Sequence, residues 1–532
     1  MSALLVLIVA LPALAAVFCT VAGAGRAANV PRASALAAAA AFLCAVGLAI
    51  DVSLRGPVSA VISGTGGHQV LGLYADRITV VLLLLVCGVS AVVQNFARGY
   101  LHGDLRAGRF FAGTSLLTAA TAAMVSAASL VGLGVAWTLA GVALCLLLNM
   151  YAGLPAARQG VRRTALAFAI GDGALWTAIA LALLEWGNLD LRRLEHQAGT
   201  LAGRPALLGV FACLILVAAL ARSAQLPLQR WLPATLAAPT PVSAILHAGV
   251  INAGGVLLVR LSPLIGRSGP ASTLMFCSGG ATVIYGTALM LAKPDIKGAL
   301  AHSTMGQMGF MIMTCGLGAF AAAIFHLVAH GMYKATLFLG SGGAVHRQVR
   351  HAKAPPRAGG TRASRALAAL LAALLGGAAV LGAAAVLHPH VGGRSGSGGL
   401  LVFAWATAAA GAWGILQRPL GTATRIGGLA LVGLASWAYV GWLRMFTSFL
   451  SSDLGGLGQH PAPPWLLGVV VGPLALLALL RLAGGRRAHD TLYVLALSAG
   501  HVMRESGARH RRPQAAGSGW TVLEPNAGAA RP

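Results

Sequence analysis

Residues 318–341 read Gly318-Ala-Phe-Ala-Ala-Ala-Ile-Phe-His326-Leu-Val-Ala-His330-Gly-Met-Tyr-Lys334-Ala-Thr-Leu-Phe-Leu-Gly-Ser341. The run meets the roughly 20 residues that a helix needs to cross a hydrocarbon core. It nevertheless carries His326, His330 and Lys334, spaced i, i+4 and i+8. At about 3.6 residues per turn, such groups share one stripe of a helix. Waters can join neighbours on that stripe into a proton relay, because histidine titrates near neutrality and lysine can hold and release a proton. Charge at bilayer depth costs about 3 kcal/mol or more, so these groups are expected to face a bundle interior and mark an ion path. Hydrogen bonding between helices is the plainer role open to them. A zinc site is disfavoured: the glutamate of HExxH is missing and no other acid lies close in sequence.

The rest of the chain repeats this apolar pattern. Only 9% of its 532 residues are charged and the mean hydropathy is +0.79, whereas soluble domains carry about 25% charged residues. An all-α polytopic membrane protein of about fifteen transmembrane helices is predicted. The spans fall near 3–22, 32–50, 77–97, 110–129, 131–151, 164–184, 205–224, 240–262, 272–292, 298–316, 318–341, 365–388, 399–417, 426–449 and 464–482. A β-barrel is excluded, because its apolar–polar alternation is absent. The net charge of +26 does not signal nucleic acid, since the basic residues collect in loops between spans. Loops after odd-numbered spans are the richer, which predicts a cytoplasmic side there, with the N-terminus outside and the C-terminus inside. The seven cysteines all fall in predicted spans without a CxxC pair, so neither a metal site nor a disulfide framework is expected. The first apolar run lacks a basic segment before it and reads as a retained helix rather than a cleaved leader.

Two further regions carry chemistry. Asp172 is the one acid central in a predicted span, and Arg222, at the end of the next, is its natural partner; the pair can be a static tie or a switch. Pro227, Pro233, Pro239 and Pro241 follow. Proline removes a backbone donor and clashes with the preceding turn, so a broken helix is predicted near 222–241, with His247 just beyond it. Broken helices at membrane depth often mark an ion site, although a simple kink or interfacial loop has the same signature. Downstream, Asp295-Ile-Lys297 leads to His302 and Ser303-Thr304. Lys297 can anchor at the membrane edge or join the relay; His302 lies a turn deeper. Residues 51–75 read as a Gly-rich external loop.

The stretch Arg222-Ser-Ala-Gln-Leu-Pro-Leu-Gln-Arg-Trp231-Leu-Pro, followed by Ala238-Pro-Thr-Pro-Val-Ser-Ala-Ile-Leu-His247-Ala, resembles the core signature of the antiporter-like proton-pumping membrane subunits. That superfamily includes the largest such subunit of complex I, the Mrp sodium/proton antiporters and the membrane subunit of the DAB inorganic-carbon transporter. Asp295-Ile-Lys297 with Ser303-Thr-Met-Gly-Gln-Met-Gly309, and Phe325-His326, His330 and Lys334-Ala-Thr-Leu-Phe-Leu, are similar to two further signatures. Gly249-Val-Ile-Asn252-Ala-Gly-Gly255, Tyr100-Leu-His-Gly-Asp104 and Arg109-Phe110 look most like the DAB membrane subunit. A long lateral helix like that at the C-terminus of the complex I subunit is not expected from these residues.

The resemblance implies a conducting core over 110–345, flanked by N-terminal helices (1–109), C-terminal transmembrane helices (346–482) and a basic, disordered tail (483–532). The implied pathway residues are Asp172, Arg222, His247, Lys297, His302, His326, His330 and Lys334. The implied function is cation, chiefly proton, conduction in the bacterial cytoplasmic membrane, coupled to CO2 hydration by a large peripheral zinc-containing carbonic-anhydrase-like subunit. No cofactor is implied in this chain itself. A proton-pumping subunit of an NADH–quinone oxidoreductase and a sodium/proton antiporter subunit are the alternatives. The cytoplasmic loop 347–365, with Arg347, Arg350 and Lys353, is the expected docking point. There are departures from the family pattern. Arg222 stands where the family has lysine, Thr138 where it has glutamate, and no lysine occurs in spans twelve to fifteen. Arginine does not release its proton, so Arg222 is read as an electrostatic gate.

Overall fold

A computed structural model describes residues 1–22, 29–65, 68–187, 190–194, 203–293, 295–343, 362–387, 394–454, 460–463 and 465–473. The chain is a bundle of apolar helices: α1 (Ser2–Val21), α2 (Val30–Arg55), α3 (Arg77–Tyr100), α4 (Ala107–Val125), α5 (Leu130–Leu148), α6 (Pro155–Trp186) and α7 (Pro205–Arg222). Two short helices follow, α8 (Thr240–Ala248) and α9 (Ala253–Arg260), then α10 (Gly269–Ala292), α11 (Ile296–Gly316) and α12 (Phe320–Leu339). Last come α13 (Arg362–Leu387), α14 (Arg394–Leu416) and α15 (Thr422–Leu454).

Among the described residues, eleven helical stretches are long and apolar enough to cross a bilayer. Helices α4 and α11 have the length but carry more polar residues, Thr114, Ser115, Thr118 and Thr121 in one and His302, Ser303 and Thr304 in the other. Most of α4 is buried, and a helix shielded from lipid need not be lipophilic all round. Most of the predicted span 464–482, the tail 483–532 and the loop from 347 to 361 lie outside the described residues.

The region 51–75 departs from the expected loop. Helix α2 runs on to Arg55, and two strands follow, β1 (Val58–Thr65) antiparallel to β2 (His68–Ala75), pairing Val58 with Ala75 and Thr65 with His68. The glycines mask Val58-Ser-Ala-Val-Ile and Val70-Leu-Gly-Leu-Tyr, whose β-branched, aromatic and apolar residues favour strands. The strand pair is tied to the α4–α5 link by Tyr74 N–H to the Ser126 carbonyl (2.7 Å) and Ala128 N–H to the Gly72 carbonyl (3.0 Å).

The proline-rich stretch is broken. After Arg222 the chain turns, forms a 3-10 segment over Gln229–Thr235, and re-enters a helix at Thr240. Several of its polar groups are tied to neighbouring elements, as an irregular backbone at membrane depth requires, while the side-chain oxygens of Gln225 and Gln229 are buried without a partner among the described residues. Trp231 Nε1 donates to the Ala221 carbonyl (2.9 Å), Leu226 N–H to Thr282 Oγ1 (3.2 Å) and Ser223 Oγ to the Ile251 carbonyl (2.7 Å). A second interruption follows at Gly249-Val-Ile-Asn252, between α8 and α9.

Helices α10 and α11 lie against each other along a glycine seam. A Cβ on Gly279 would sit 2.5 Å from the Gly309 carbonyl oxygen, and one on Gly286 would sit 2.6 Å from the Gly306 nitrogen. Small residues permit this approach where packing, rather than water exclusion, holds membrane helices together. The seam fixes the position of α11, whose other side chains reach α8 and α12.

Candidate proton pathway

Arg222 ends α7 and is 1% exposed. Its Nη2 donates to Asp172 Oδ1 (2.8 Å) and to the Trp137 carbonyl (3.2 Å). Trp137 Nε1 donates to the same carboxylate oxygen (2.8 Å). The guanidinium carbon lies 4.1 Å from the Phe168 ring centre and 4.5 Å from that of Trp137. Two aromatic faces and one carboxylate therefore stand in for water around this cation. Gly141 makes the space, since a Cβ there would come within 2.8 Å of Arg222 Nη1. A guanidinium suits this cage because its plane stacks while its edge donates, which an ammonium cannot do. Thr138, in the expected glutamate position, instead accepts from Trp176 Nε1 (3.2 Å).

The second centre lies where α8, α11 and α12 meet. Lys334 is fully buried, and its Nζ donates to Ser303 Oγ (2.9 Å) and approaches the Leu300 carbonyl (3.4 Å). His247 is 1% exposed, stacks on Phe338 (centroids 4.3 Å apart) and pairs Nδ1 with Thr304 Oγ1 (3.1 Å). Adjacent hydroxyls of α11 thus hold Lys334 from α12 and His247 from α8. The His326 and His330 rings lie nearly parallel, 6.1 Å apart. Neither nitrogen of His330, nor Nε2 of His326, has a hydrogen-bond partner among the described residues. Gly331 lets α12 approach the interrupted segment, because its Cβ would fall 2.9 Å from the Ala248 carbonyl.

Lys297 and His302 are engaged elsewhere. Lys297 Nζ donates to the Ala238 carbonyl (3.1 Å), which ties α11 to the entry of α8. His302 is buried, with Nδ1 against the carbonyl of Gly298 one turn back (2.8 Å). Trp137, Phe168, Ser303 and Thr304 complete the two centres. Sequence reasoning passed over their roles, because aromatic and hydroxyl residues are ordinary inside spans and only the fold shows what they touch. A further ion pair, Asp76 with Arg260, joins the start of α3 to the end of α9; Asp76 Oδ1 also caps α3 by accepting from Thr79 N–H (2.7 Å). Burial opposes the charge on Asp76, but Arg260 and the Thr79 hydrogen bonds outweigh it and hold its carboxyl below the usual range. Among the described residues, no group of three or more His, Cys, Asp or Glu side chains converges to hold a metal.

Residues 127–410, over half the chain, match the family described as NADH:quinone oxidoreductase/Mrp antiporter, TM. The chain belongs to this antiporter family. Residues 64–111 match the N-terminal family of complex I chain 5. Among the antiporter-family relatives is a probable inorganic carbon transporter subunit DabB1 of Halothiobacillus neapolitanus, 39% identical over 288 residues, 53% of this chain and 51% of that protein. The NADH-quinone oxidoreductase subunit L of Mycobacterium tuberculosis is 34% identical over 424 residues, 78% of this chain and 62% of that protein. This chain thus spans between half and two-thirds of the length of these relatives. A chain of the Mrp complex from Dietzia sp. superposes with a TM-score of 0.63 at 25% identity, covering 93% of this chain and 59% of that one. A chain of the archaeal membrane-bound sulfane sulfur reductase shares the fold, with a TM-score of 0.60 at 18% identity over 93% of this chain and 96% of its own. Both centres lie on helices inside the matched antiporter region.

Proposed function

We propose that this chain is the proton-conducting membrane subunit of a multi-subunit inorganic-carbon transporter in the bacterial cytoplasmic membrane. The observation that carries conduction is Lys334, a fully buried ammonium held by Ser303 Oγ, on the same stripe as His326 and His330 with their uncommitted nitrogens. A buried ionisable group inside a bundle is a transport element by default. Protons pass along α12 between His326, His330 and Lys334, with waters bridging the turns. Ser303 and Thr304 connect Lys334 with His247. Arg222 carries no proton; its tie to Asp172 sets the field felt by the other groups. Opening that tie would free a positive charge inside the bundle and disfavour a proton nearby; closing it reverses the effect.

The carbon assignment rests on the similarity to the DabB1 subunit and on the Gly249–Gly255 sequence. In this reading the partner is a large peripheral zinc-containing subunit that hydrates CO2. Proton flow through the membrane subunit makes that hydration one-way, and the N-terminus faces outward. A second reading, a proton-pumping subunit of a quinone-linked redox complex, is favoured by the longer match to subunit L, 424 residues against 288. Mass spectrometry of proteins that co-purify with the tagged chain in mild detergent separates the two. A single large zinc-binding soluble partner supports carbon transport. A set of iron–sulfur subunits supports the redox complex and refutes the carbon assignment.

A further inference from the structure

Asp172 lies near the middle of α6, roughly 20 Å from the nearer end at about 1.5 Å of rise per residue. Its two carboxylate oxygens are not held alike. Oδ1 accepts from both Arg222 Nη2 and Trp137 Nε1, at 2.8 Å each. Oδ2 accepts from no donor among the described residues. It is also not sealed in: the Asp172 side chain is 19% exposed, against 2% for Arg222. The opening faces outward. Asp172 stands at the edge of the inward stripe of α6, where Phe168, Leu175 and Ile179 are buried, and next to Ala169, Gly173 and Trp176, which are exposed. Trp176, one turn on from Asp172, donates its Nε1 to Thr138 Oγ1 on α5 (3.2 Å). Val142, one turn on from Thr138, is exposed as well. Helices α5 and α6 therefore border a groove on the outer surface of the bundle, with a half-bonded carboxylate in its wall.

Lipid tails carry no donor, so a carboxylate oxygen open to hydrocarbon at this depth is left without the partner that charged groups inside membranes take. An ionised carboxylate only accepts, so its complement is an N–H or O–H. The charge of that donor is set as well. Arg222 and Asp172 already cancel, and a further cation would leave a net charge at mid-depth, whereas a neutral donor leaves none. A second copy docked on the same face would bring two carboxylates together and is disfavoured. The groove also admits a close neighbour: a Cβ on Gly173 would meet nothing within 4 Å, and small residues are where membrane helices approach one another. We infer that the α5–α6 groove receives a transmembrane helix of another membrane subunit, which gives Asp172 Oδ2 a hydrogen bond from a neutral N–H or O–H group. That bond fixes the carboxylate in the orientation that faces Arg222, so the neighbouring helix bears directly on the Asp172–Arg222 tie. The inference stands on this groove alone and holds whichever ion or substrate the chain serves.

The test places the photo-crosslinker p-benzoylphenylalanine at position 142 or 169 of the full chain in its native membrane, with position 36, on the exposed face of α2, as the control site. Crosslinked peptides are mapped by mass spectrometry after illumination. Both groove sites are expected to label one transmembrane peptide of another subunit, and the control site is expected not to label it. A Ser, Thr, Asn, Gln, Tyr or Trp should lie within one turn of the labelled residues. Replacing that donor by Leu should weaken retention of the subunit in mild detergent by about tenfold, equivalent to about 1.4 kcal/mol. The same replacement on the opposite face of that helix should change retention by less than about twofold. Crosslinks to lipid alone would show a groove open to the bilayer and overturn the inference. So would a labelled helix without a neutral donor, crosslinks to a second copy of this chain, or retention unchanged when the donor is lost.

Discussion

Each charged residue inside this bundle has a different local answer to the loss of water. Arg222 has a carboxylate and two aromatic faces, whereas Lys334 has a hydroxyl and a backbone carbonyl. The difference separates their roles. A guanidinium locked to an acid is a fixed charge, while Lys334 has no acid among its contacts and is held only by a hydroxyl and a carbonyl oxygen. Lys334→Ala is therefore expected to reduce proton flux into reconstituted vesicles by at least about 100-fold, the scale of losing a proton-transfer group, with membrane insertion unchanged. Near-native flux would remove Lys334 from the path. Asp172→Asn strands the Arg222 charge and should destabilise the chain by about 3 kcal/mol, seen as an earlier thermal transition in detergent. Arg222→Lys keeps the charge but loses the stacking, and partial flux is expected; complete loss would show that the planar group itself is needed.

Among the elements, α11 does the most positioning. Its glycine seam with α10 fixes its depth, and from there Ser303 and Thr304 reach Lys334 and His247. Gly309→Val places a Cβ 2.6 Å from the Gly279 carbonyl oxygen, closer than a carbon can sit. The helices must part, at a cost of about 3 kcal/mol, and the hydroxyls move with them. Reduced flux and a lower melting temperature should appear together in this variant. Native flux with native melting would show that the seam does not set the geometry. This contribution was not legible beforehand, because glycines are common throughout the chain and nothing local marks those that face another backbone. The breaks were partly legible. Four prolines foretold the one after Arg222, whereas the one at Gly249 has no proline and depends on how α8 and α9 pack against α7 and α12.

Across the whole molecule, Asp76 and Arg260 clamp the start of α3 to the end of α9, and Arg77 N–H donates to Asp453 on α15 (2.9 Å). The Asp76 carboxyl is held below its ordinary value. Its contribution to stability is therefore complete above the unfolded value of about 3.9 and is lost as pH falls through the lower folded one. Melting temperature should fall more steeply below pH 4 in the native chain than in Asp76→Asn; parallel curves would show that the clamp is not pH-linked. The sequence by itself determined the class of the protein. Apolar runs of bilayer length leave a backbone no option but helices, and buried ionisable residues at i, i+4 and i+8 must share a face. It also carried the family, through short motifs that stay contiguous in the chain. The strand character of 58–75 was hidden by its glycines. Only the tertiary structure decided which charge meets which partner: it set Arg222 between Trp137 and Phe168, gave Lys334 to Ser303, and left Lys297 and His302 to other contacts. The reason is that periodicity fixes a side chain's direction on its own helix, while the neighbour it finds depends on the depth and rotation of another helix, set by packing distributed over the whole bundle.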